Sequence, residues 1–403
     1  MTSLGLGIVG LFSKKIKFFV DGRKDVFETL QKKIAPTDKT IWFHCASLGE
    51  YEQGVPIIKE VRKLKPDHKI VVSFFSPSGY EVKKNTKLAE ITIYLPMDTI
   101  TNAKKFIDIV HPSLAFFIKY EFWPNYLYEL KKREVPVLLI SGVFQKNQLF
   151  FRDYGGFMRK ALTAFQYFFV QDENSKELLE SIGFNNVTVS GDTRFDRVSN
   201  QTKIDNILKF ADDFKGNSLC IVCGSTWPED EAVLLEYINS APDTVKFIIA
   251  PHKIEADKIN NLREKINNKT VLHSESDDVD LSEYSVLIID CIGLLGKLYS
   301  YADIAYVGGA AGRTGLHNIL EPVTFGVPII IGKNHVGFPE AQRLKDLKGL
   351  FTVENSDDAK NIFNNLVENA DLRLKSGIVS GKFVQRNTGA TSKILEYIET
   401  NME

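Results

Sequence analysis

Short runs of apolar residues, mostly β-branched or aromatic, alternate along the chain with longer stretches in which apolar residues recur every three or four positions. The first pattern predicts buried strands and the second predicts amphipathic helices. Strands that alternate with helices are typical of parallel sheets covered by helices on both faces. The predicted strands lie at 41–46, 70–75, 91–94, 114–118, 135–140, 167–170 and 187–189 in the first half, and at 219–223, 245–250, 270–272, 286–289, 304–307 and 327–331 in the second.

The length of the chain indicates more than one domain. Its 403 residues exceed what one hydrophobic core usually organises, and each set of strands suffices for its own doubly wound, Rossmann-like sheet. We predict a short N-terminal segment at 1–20, a first domain at 21–193 and a second domain at 194–403. The last helical pattern, 390–397, is a candidate to pack back on the first domain.

Composition narrows the class of protein. With 44% hydrophobic and 25% charged residues, the chain is that of an ordinary globular protein. The net charge of the chain is −1, so the chain lacks the excess of basic residues that is typical of nucleic-acid-binding proteins. We therefore expect no nucleic-acid partner. The four cysteines are scattered, and the C-x-x-C formed by Cys220 and Cys223 lies inside a predicted strand. We therefore interpret Cys220 and Cys223 as buried core thiols, and the small number of scattered cysteines favours a reducing compartment.

The N-terminus combines an apolar run at 4–12 with lysines and phenylalanines at 14–19. The run is shorter than the roughly 18 residues that a membrane-spanning helix needs, and its charges follow the apolar residues, unlike those of a secretory signal. This order favours a short anchor on an anionic membrane surface. A solvated terminus is the alternative interpretation.

Ligands of open parallel sheets bind beyond the carboxyl ends of the strands, so the residues after each strand are candidates for chemistry. The strand at 304–307 is followed by a loop with four glycines and by a predicted helix opening near His317. Such a loop and helix start predict a phosphate-binding site, and Glu321 is placed to accept hydrogen bonds from a ribose. The alternative is a tight turn whose glycines serve packing alone. The turn at 224–229 is a second candidate anion site, and His252, Lys253, Arg194 and Arg313 are candidate cations.

Two carboxylates follow strands in the first half. Glu50 lies three residues after Ser47, which is the spacing of a helix capping box. A carboxylate at a helix start facing a cleft is also a candidate general base, and both interpretations stay open. Glu121 follows another strand two residues after Lys119, and the plain alternative there is an ion pair between them.

One motif in the sequence has the form of a metal-binding site. Asp278 and Asp280 form a D-x-D, but they follow an acidic run and precede a strand, whereas a metal-binding D-x-D normally ends one. We interpret this segment as a solvated loop and predict no metal.

Several motifs together resemble the 3-deoxy-D-manno-octulosonic acid (Kdo) transferases of lipopolysaccharide synthesis, which have the two-domain GT-B fold. They are VDGRK at 20–24, SLGE at 47–50, SPSG at 76–79, EFWPN at 121–125, GST at 224–226, PH at 251–252 and HNILEP at 317–322. The resemblance implies an α/β protein with two Rossmann-like domains and an interdomain cleft. It also implies transfer of Kdo from CMP-Kdo to a lipid A precursor at the cytoplasmic face of the bacterial inner membrane, without a metal or other cofactor.

The resemblance further implies roles for single residues. Glu50 is then the general base of an inverting single displacement, and Glu121 is the second catalytic carboxylate. The residues expected to bind CMP-Kdo are Gly224, Ser225, Thr226, His252, Lys253, Gly308, Gly309, Asn318 and Glu321. Those expected to bind the acceptor are Ser47, Gly49, Ser76 and Lys119. Two alternatives stay open: a GT-B enzyme that uses another nucleotide sugar, and a non-catalytic nucleotide-binding protein.

Overall fold

A computed structural model describes residues 21–402, and the segment predicted at 1–20 lies outside the described residues. The chain divides into two compact units by its internal contacts. Unit 1 holds the described residues up to Arg197 together with those from Thr388 onwards, and unit 2 is Val198–Asn387. The sequence placed this boundary after Thr193, so the observed division falls slightly later.

Unit 1 contains a sheet of seven parallel strands in the order β3-β2-β1-β4-β5-β6-β7. Its strands are β1 (Lys39–Cys45), β2 (His68–Phe74), β3 (Ile91–Tyr94), β4 (Pro112–Ile118), β5 (Val137–Gly142), β6 (Tyr167–Val170) and β7 (Val187–Val189). Its helices are α1 (Val26–Lys33), α2 (Leu48–Leu64), α3 (Pro77–Lys83), α4 (Ile100–Val110), α5 (Pro124–Lys132), α6 (Gly156–Leu162), α7 (Glu173–Glu180) and α8 (Thr193–Gln201), the last of which continues past the unit boundary.

Unit 2 repeats this architecture with the strand order β10-β11-β9-β8-β12-β13-β14. Its strands are β8 (Leu219–Thr226), β9 (Val245–Pro251), β10 (Thr270–Leu272), β11 (Val286–Ile288), β12 (Ile304–Val307), β13 (Ile329–Gly332) and β14 (Leu350–Val353). Its helices are α9 (Lys209–Lys215), α10 (Pro228–Ser240), α11 (Ala256–Lys265), α12 (Leu295–Leu298), α13 (Leu320–Val323), α14 (Pro339–Asp346), α15 (Ser356–Glu368) and α16 (Ala370–Asn387).

The final helix, α17 (Ala390–Asn401), belongs to unit 1. Asp196 fixes its start by accepting hydrogen bonds from the backbone N–H groups of Gly389 (2.6 Å) and Thr391 (2.7 Å). Ile394 and Ile398 then pack in the apolar cluster that also buries α2. The sequence assigned this helix to the second domain and named it as a candidate for such packing.

Both faces of the unit 1 sheet are covered, which explains why its strands are apolar runs without alternating polar positions. Trp42 of β1 packs in the cluster on one face, whereas its neighbour Phe43 packs in the cluster on the other. All thirteen predicted strands are observed, and the α/β fold class with two Rossmann-like sheets is confirmed. The edge strand β14 was not predicted.

The thiols of Cys220 and Cys223 are fully buried in β8, as expected for core cysteines. Burial raises the pKa of Cys220 to about 12 and raises that of Cys223 further. Within residues 21–402, no helix combines the length and the apolar character that crossing a bilayer requires.

Candidate active site

Ser47 and Glu50 form the capping box that their spacing predicts. Helix α2 starts immediately after β1, and the Ser47 backbone N–H donates to Glu50 Oε2 at 2.9 Å. The Ser47 hydroxyl donates to the same oxygen. No group among residues 21–402 donates to the other oxygen, Oε1. The Glu50 side chain is 5% exposed, so it is held firmly through one oxygen while the other stays unbonded.

The Ser76 turn lies against the Ser47 turn. The backbone N–H groups of Phe75 (3.2 Å) and Ser76 (2.7 Å) both donate to the carbonyl of Ala46. A Cβ atom on Gly79 would lie 2.9 Å from the Ser47 carbonyl carbon, so only glycine permits this approach. The structure therefore brings together two of the predicted acceptor residues, Ser47 and Ser76. A Cβ atom on Gly49, one residue before Glu50, would lie 3.8 Å from Ser47 Oγ, which is an ordinary van der Waals contact.

Glu121 is held by aromatic neighbours and not by Lys119. Its Oε2 accepts a hydrogen bond from Trp123 Nε1 (3.0 Å) and lies 3.7 Å from His44 Nε2. The Lys119 ammonium instead lies over the Tyr120 ring, 4.9 Å from its centroid, and Lys119 takes a strained backbone conformation with φ +70°. The alternative in which Lys119 and Glu121 simply pair is wrong.

The carboxylates of Glu50 and Glu121 converge at the carboxyl end of β1. The pKa of the Cys45 thiol, the last residue of β1, lies well above its usual range, first because the thiol is buried and then because both carboxylates act on it. Two residues that are 71 positions apart in sequence thus share one edge of the sheet, as the rule for parallel sheets predicts.

In unit 2, the carboxylate of Asp230 organises the glycine loop. Asp230 is fully buried on α10, and its Oδ2 accepts from the backbone N–H groups of Trp227 (2.9 Å) and Gly309 (2.7 Å). Its Oδ1 accepts from the Tyr306 hydroxyl (2.8 Å) and the Ala311 N–H (3.2 Å). One side chain therefore fixes the end of β12 and the loop after it.

This arrangement occupies two backbone amides of the loop that the sequence predicts to bind phosphate. The Gly308 N–H donates to the Gly224 carbonyl (2.9 Å), and the Gly309 N–H donates to Asp230, so neither amide is available to a phosphate. A Cβ atom on Gly308 would lie 2.3 Å from the Ser225 carbonyl oxygen, and Gly309 has φ +97°. For these two glycines the packing interpretation holds.

The two predicted helix starts also differ from expectation. Helix α13 begins at Leu320 and has only four residues, and the Leu320 N–H is capped by Asn318 Oδ1 at 3.2 Å. Helix α10 carries three carboxylates in its first turn, Glu229, Asp230 and Glu231, which offset the positive helix end. The anion sites that the sequence predicted at these two helix starts stay predictions.

The turn after β8 is shaped by close contacts. A Cβ atom on Gly224 would lie 2.0 Å from the Tyr299 hydroxyl, so a side chain is excluded there. Ser225 has φ +54°, and the Thr226 hydroxyl donates to Glu231 Oε1 at 3.1 Å. Burial, followed by the Glu321 charge, raises the pKa of Tyr299 well above its usual range. Gly224 and Glu321 are therefore both close to Tyr299.

Trp227, His252 and His317 form an aromatic stack. The His252 ring lies 4.6 Å from the Trp227 ring and 4.4 Å from the His317 ring, and Trp227 Nε1 donates to His317 Nε2 at 2.9 Å. Burial and then His252 lower the pKa of His317 to about 4, and burial and then Lys253 lower that of His252. Both imidazoles are therefore mostly neutral at pH 7, so His252 does not supply the positive charge that the sequence predicts there. The Lys253 ammonium lies 5.2 Å from the Trp227 ring centroid.

The sequence analysis gave no role to Trp227 or His317 as single residues, although both lie in the segments after β8 and β12 that it named as candidate sites. Their mutual contact joins positions 90 apart, which no local pattern reveals. Asn318 and Glu321, which were predicted, do meet: Asn318 Nδ2 donates to Glu321 Oε1 at 3.3 Å. Arg194 lies in unit 1 and pairs with Asp192 (2.7 Å). In the described part of the chain, no group of three or more side chains is arranged to hold a metal ion.

The chain is similar to proteins of known class. Residues 22–197 match the family model of 3-deoxy-D-manno-octulosonic-acid transferase (kdotransferase). The 3-deoxy-D-manno-octulosonic acid transferase of Haemophilus influenzae is 24% identical over 410 residues, covering 99% of this chain and 95% of that protein. The protein of the same name from Chlamydophila psittaci is 30% identical over 357 residues, covering 84% of this chain and 80% of that protein.

The fold has counterparts among solved structures. UDP-GlcNAc 2-epimerase from Neisseria meningitidis, solved with bound UDP-GlcNAc, superposes with a TM-score of 0.62 at 17% identity, covering 90% of this chain and 100% of that chain. Two Rossmann-like parallel sheets in one chain, together with the transferase relatives, define a glycosyltransferase of the GT-B class. The chain belongs to the 3-deoxy-D-manno-octulosonic acid (Kdo) transferases.

Proposed function

We propose that this Kdo transferase moves Kdo from CMP-Kdo to a lipid A precursor in one inverting displacement, with Glu50 as the general base. The observation that carries the proposal is the asymmetry of the Glu50 carboxylate. Its Oε2 accepts two hydrogen bonds from Ser47, whereas no described group donates to Oε1. A base needs such an oxygen, fixed in direction and able to accept the proton of the attacking hydroxyl.

In this reaction the acceptor hydroxyl needs a catalytic base, whereas the leaving group needs no acid. Cytidine monophosphate leaves as a stable phosphate anion and needs no proton, whereas a sugar hydroxyl is a weak nucleophile until its proton is removed. Glu121 lies at the same end of β1 as Glu50, and we infer that it stabilises the developing oxocarbenium charge or orients the acceptor. The proximity of Ser47 and Ser76 supports an acceptor site at this edge.

The donor is proposed to bind unit 2. The stack of Trp227, His252 and His317 offers a flat, uncharged surface suited to a nucleobase or a sugar ring. The Glu321 carboxylate, bonded to Asn318, is suited to ribose hydroxyls. Because the amides of Gly308 and Gly309 are occupied, we infer that side chains such as Lys253 contact the phosphate.

We propose that the reaction takes place at the cytoplasmic face of the inner membrane. The support is the composition of the N-terminal segment, in which an apolar run is followed by lysines at 14, 15 and 17. Such segments bind anionic bilayers through apolar insertion and charge together.

The test compares Glu50→Gln with Glu60→Gln, a half-buried glutamate on the same helix that pairs with Lys63. The amide keeps the size of the side chain and one hydrogen-bond acceptor but removes the base. We expect Kdo transfer from CMP-Kdo to tetraacyl lipid A precursor, followed by product mass, to fall by about two to four orders of magnitude. The Glu60 variant should transfer normally.

A capping role alone gives a different result. It predicts a loss of roughly 0.5–2 kcal/mol in unfolding free energy with near-normal turnover, so stability and transfer are measured on one preparation. Near-normal turnover of Glu50→Gln would refute the base. Transfer from a UDP-sugar in place of CMP-Kdo would refute the donor.

A further inference from the structure

A continuous chain of hydrogen bonds runs from Trp42, in the core of unit 1, to Glu121. Trp42 Nε1 donates to Ser73 Oγ (2.8 Å), and Ser73 Oγ lies 2.9 Å from His44 Nδ1. On the other side of the imidazole, Trp123 Nε1 donates to His44 Nε2 at 2.8 Å and is shared with Glu121 Oε2 at 3.0 Å. Trp42, Ser73 and His44 are fully buried.

The indole groups determine which nitrogen of His44 carries the proton. An indole nitrogen only donates, so His44 Nε2 must accept from Trp123 and cannot hold a hydrogen. A neutral imidazole then carries its proton on Nδ1 and donates it to Ser73 Oγ. The Phe117 and Trp123 rings lie 5.6 and 6.1 Å from the imidazole and pack against it edge-on.

The same geometry makes His44 the anchor of the Trp123 indole. The indole N–H is divided between His44 Nε2 and Glu121 Oε2, which are themselves 3.7 Å apart. If His44 were removed, the indole would lose the acceptor that fixes its plane. Glu121, which is 13% exposed, has no other hydrogen-bond donor among residues 21–402.

We propose that His44, in its neutral form protonated on Nδ1, is a positioning residue that holds the Trp123 indole N–H on the Glu121 carboxylate. The proposal rests on the proposed function, because it gives the positioned carboxylate its task in Kdo transfer. His44 itself does not touch the substrates in this account. It acts through Trp123, and Ser73 and Trp42 fix its tautomer.

The first experiment separates positioning from core packing. His44→Leu removes the acceptor, whereas His44→Gln places an amide oxygen near the position of Nε2. We expect His44→Leu to lower kcat roughly 10- to 100-fold, the size of a lost hydrogen bond to a charged network, with KM for CMP-Kdo changed by less than about twofold. His44→Gln should recover most of the loss. The control is His68→Leu, at the opposite end of the same sheet in β2, which should leave kcat unchanged.

A second measurement reads the hydrogen bonds directly. The protein has three tryptophans, so the indole N–H region of a ¹⁵N spectrum holds three signals, which Trp→Phe variants assign. His44→Leu should move the signals of Trp123 and Trp42. The signal of Trp227, whose indole donates to His317 in unit 2, should stay in place and serves as the internal control.

A double-mutant cycle completes the test. If His44 acts through Trp123, the double variant His44→Leu/Trp123→Phe should lose no more kcat than the worse single variant, within about twofold. Additive losses would overturn the proposal, and so would normal turnover of His44→Leu or an unmoved Trp123 signal. If His44→Leu does not fold, Ser73→Ala applies the same tests, because it keeps the imidazole and removes the oxygen that accepts from both His44 Nδ1 and the Trp42 indole.

The outcomes also separate this inference from the proposed function. If the unaltered protein transfers no Kdo from CMP-Kdo, the proposed function fails, and the spectra still report whether the hydrogen bonds exist. If the unaltered protein transfers Kdo and His44→Leu does so equally well, only the role of His44 is refuted.

Discussion

Replacing Asp230 with asparagine tests whether one buried carboxylate builds the glycine loop of unit 2. Asp230 accepts four hydrogen bonds on two oxygens, from the Trp227, Gly309 and Ala311 N–H groups and from the Tyr306 hydroxyl. Asparagine has one oxygen, so its NH₂ group must face two of these donors. The substitution is nearly isosteric, which isolates the hydrogen bonding from the packing.

The size of the effect follows from the number of bonds broken. Each hydrogen bond to a charged group is worth about 1.5–3 kcal/mol, and two are lost, while the neutral amide costs less to bury. We expect the unfolding free energy of unit 2 to fall by roughly 3–5 kcal/mol. Tyr306→Phe removes only one of the four donors and should cost about 1.5–3 kcal/mol, which makes it a graded control.

The assay is urea unfolding followed by ¹⁹F resonances of 5-fluorotryptophan, since Trp227 reports on unit 2 and Trp42 and Trp123 report on unit 1. Only the Trp227 transition should move. Calorimetry on the folded variant should also show weaker CMP binding, by about tenfold or more. A variant within about 0.5 kcal/mol of the unaltered protein would refute the role of Asp230, because that range is typical of surface substitutions.

Two further predictions concern pH and the membrane. Because folding lowers the pKa of His317 from 6.5 to about 4, the unfolded state binds more protons between these values, so this group's stabilisation is present above pH 6.5 and is lost as pH falls towards 4. The unfolding free energy of the His317→Gln variant should therefore fall less steeply between pH 6.5 and pH 4 than that of the unaltered protein. The two slopes should differ by up to about 1.4 kcal/mol per pH unit, and equal slopes would contradict the lowered pKa of His317. Deleting residues 1–17 should weaken sedimentation with anionic liposomes, and added salt should weaken that of the intact chain; binding that survives both would place the membrane surface elsewhere.

The sequence predicts most of the fold because each strand is encoded locally. A parallel strand buried on both faces is an apolar run, and all runs long enough to be recognised became strands. The exception, β14, is a four-residue edge strand whose two central residues, Phe351 and Thr352, are only half-buried. Length alone does not explain the missed strand, because β7, β10 and β11 have three residues each and were predicted.

Site features that depend on neighbouring residues were predicted from the sequence, whereas those that depend on contacts between distant residues were not. The capping box of Ser47 and Glu50 spans three residues and was predicted from its spacing. The contacts of Asp230 with Gly309 and of His44 with Trp123 each join positions 79 apart, so only the folded sheet brings them together. The glycines at 308 and 309 were recognised as special, but their function in packing depends on a carboxylate that the local pattern does not reveal.

Both units contain a helix that is capped by an acidic side chain, but the two carboxylates differ in what they leave free to react. In each unit a strand leads directly into a helix whose third residue is an acid that caps the helix start: Glu50 accepts from the Ser47 N–H, and Asp230 accepts from the Trp227 N–H. The shorter Asp230 side chain is fully buried, and its two oxygens accept four hydrogen bonds, so no lone pair is left to accept a substrate proton. In the longer Glu50 side chain, only one carboxylate oxygen accepts the hydrogen bonds of the cap. A capping carboxylate can therefore serve as a base only where its second oxygen is left without a donor, and among these two helix starts unit 1 alone meets that condition.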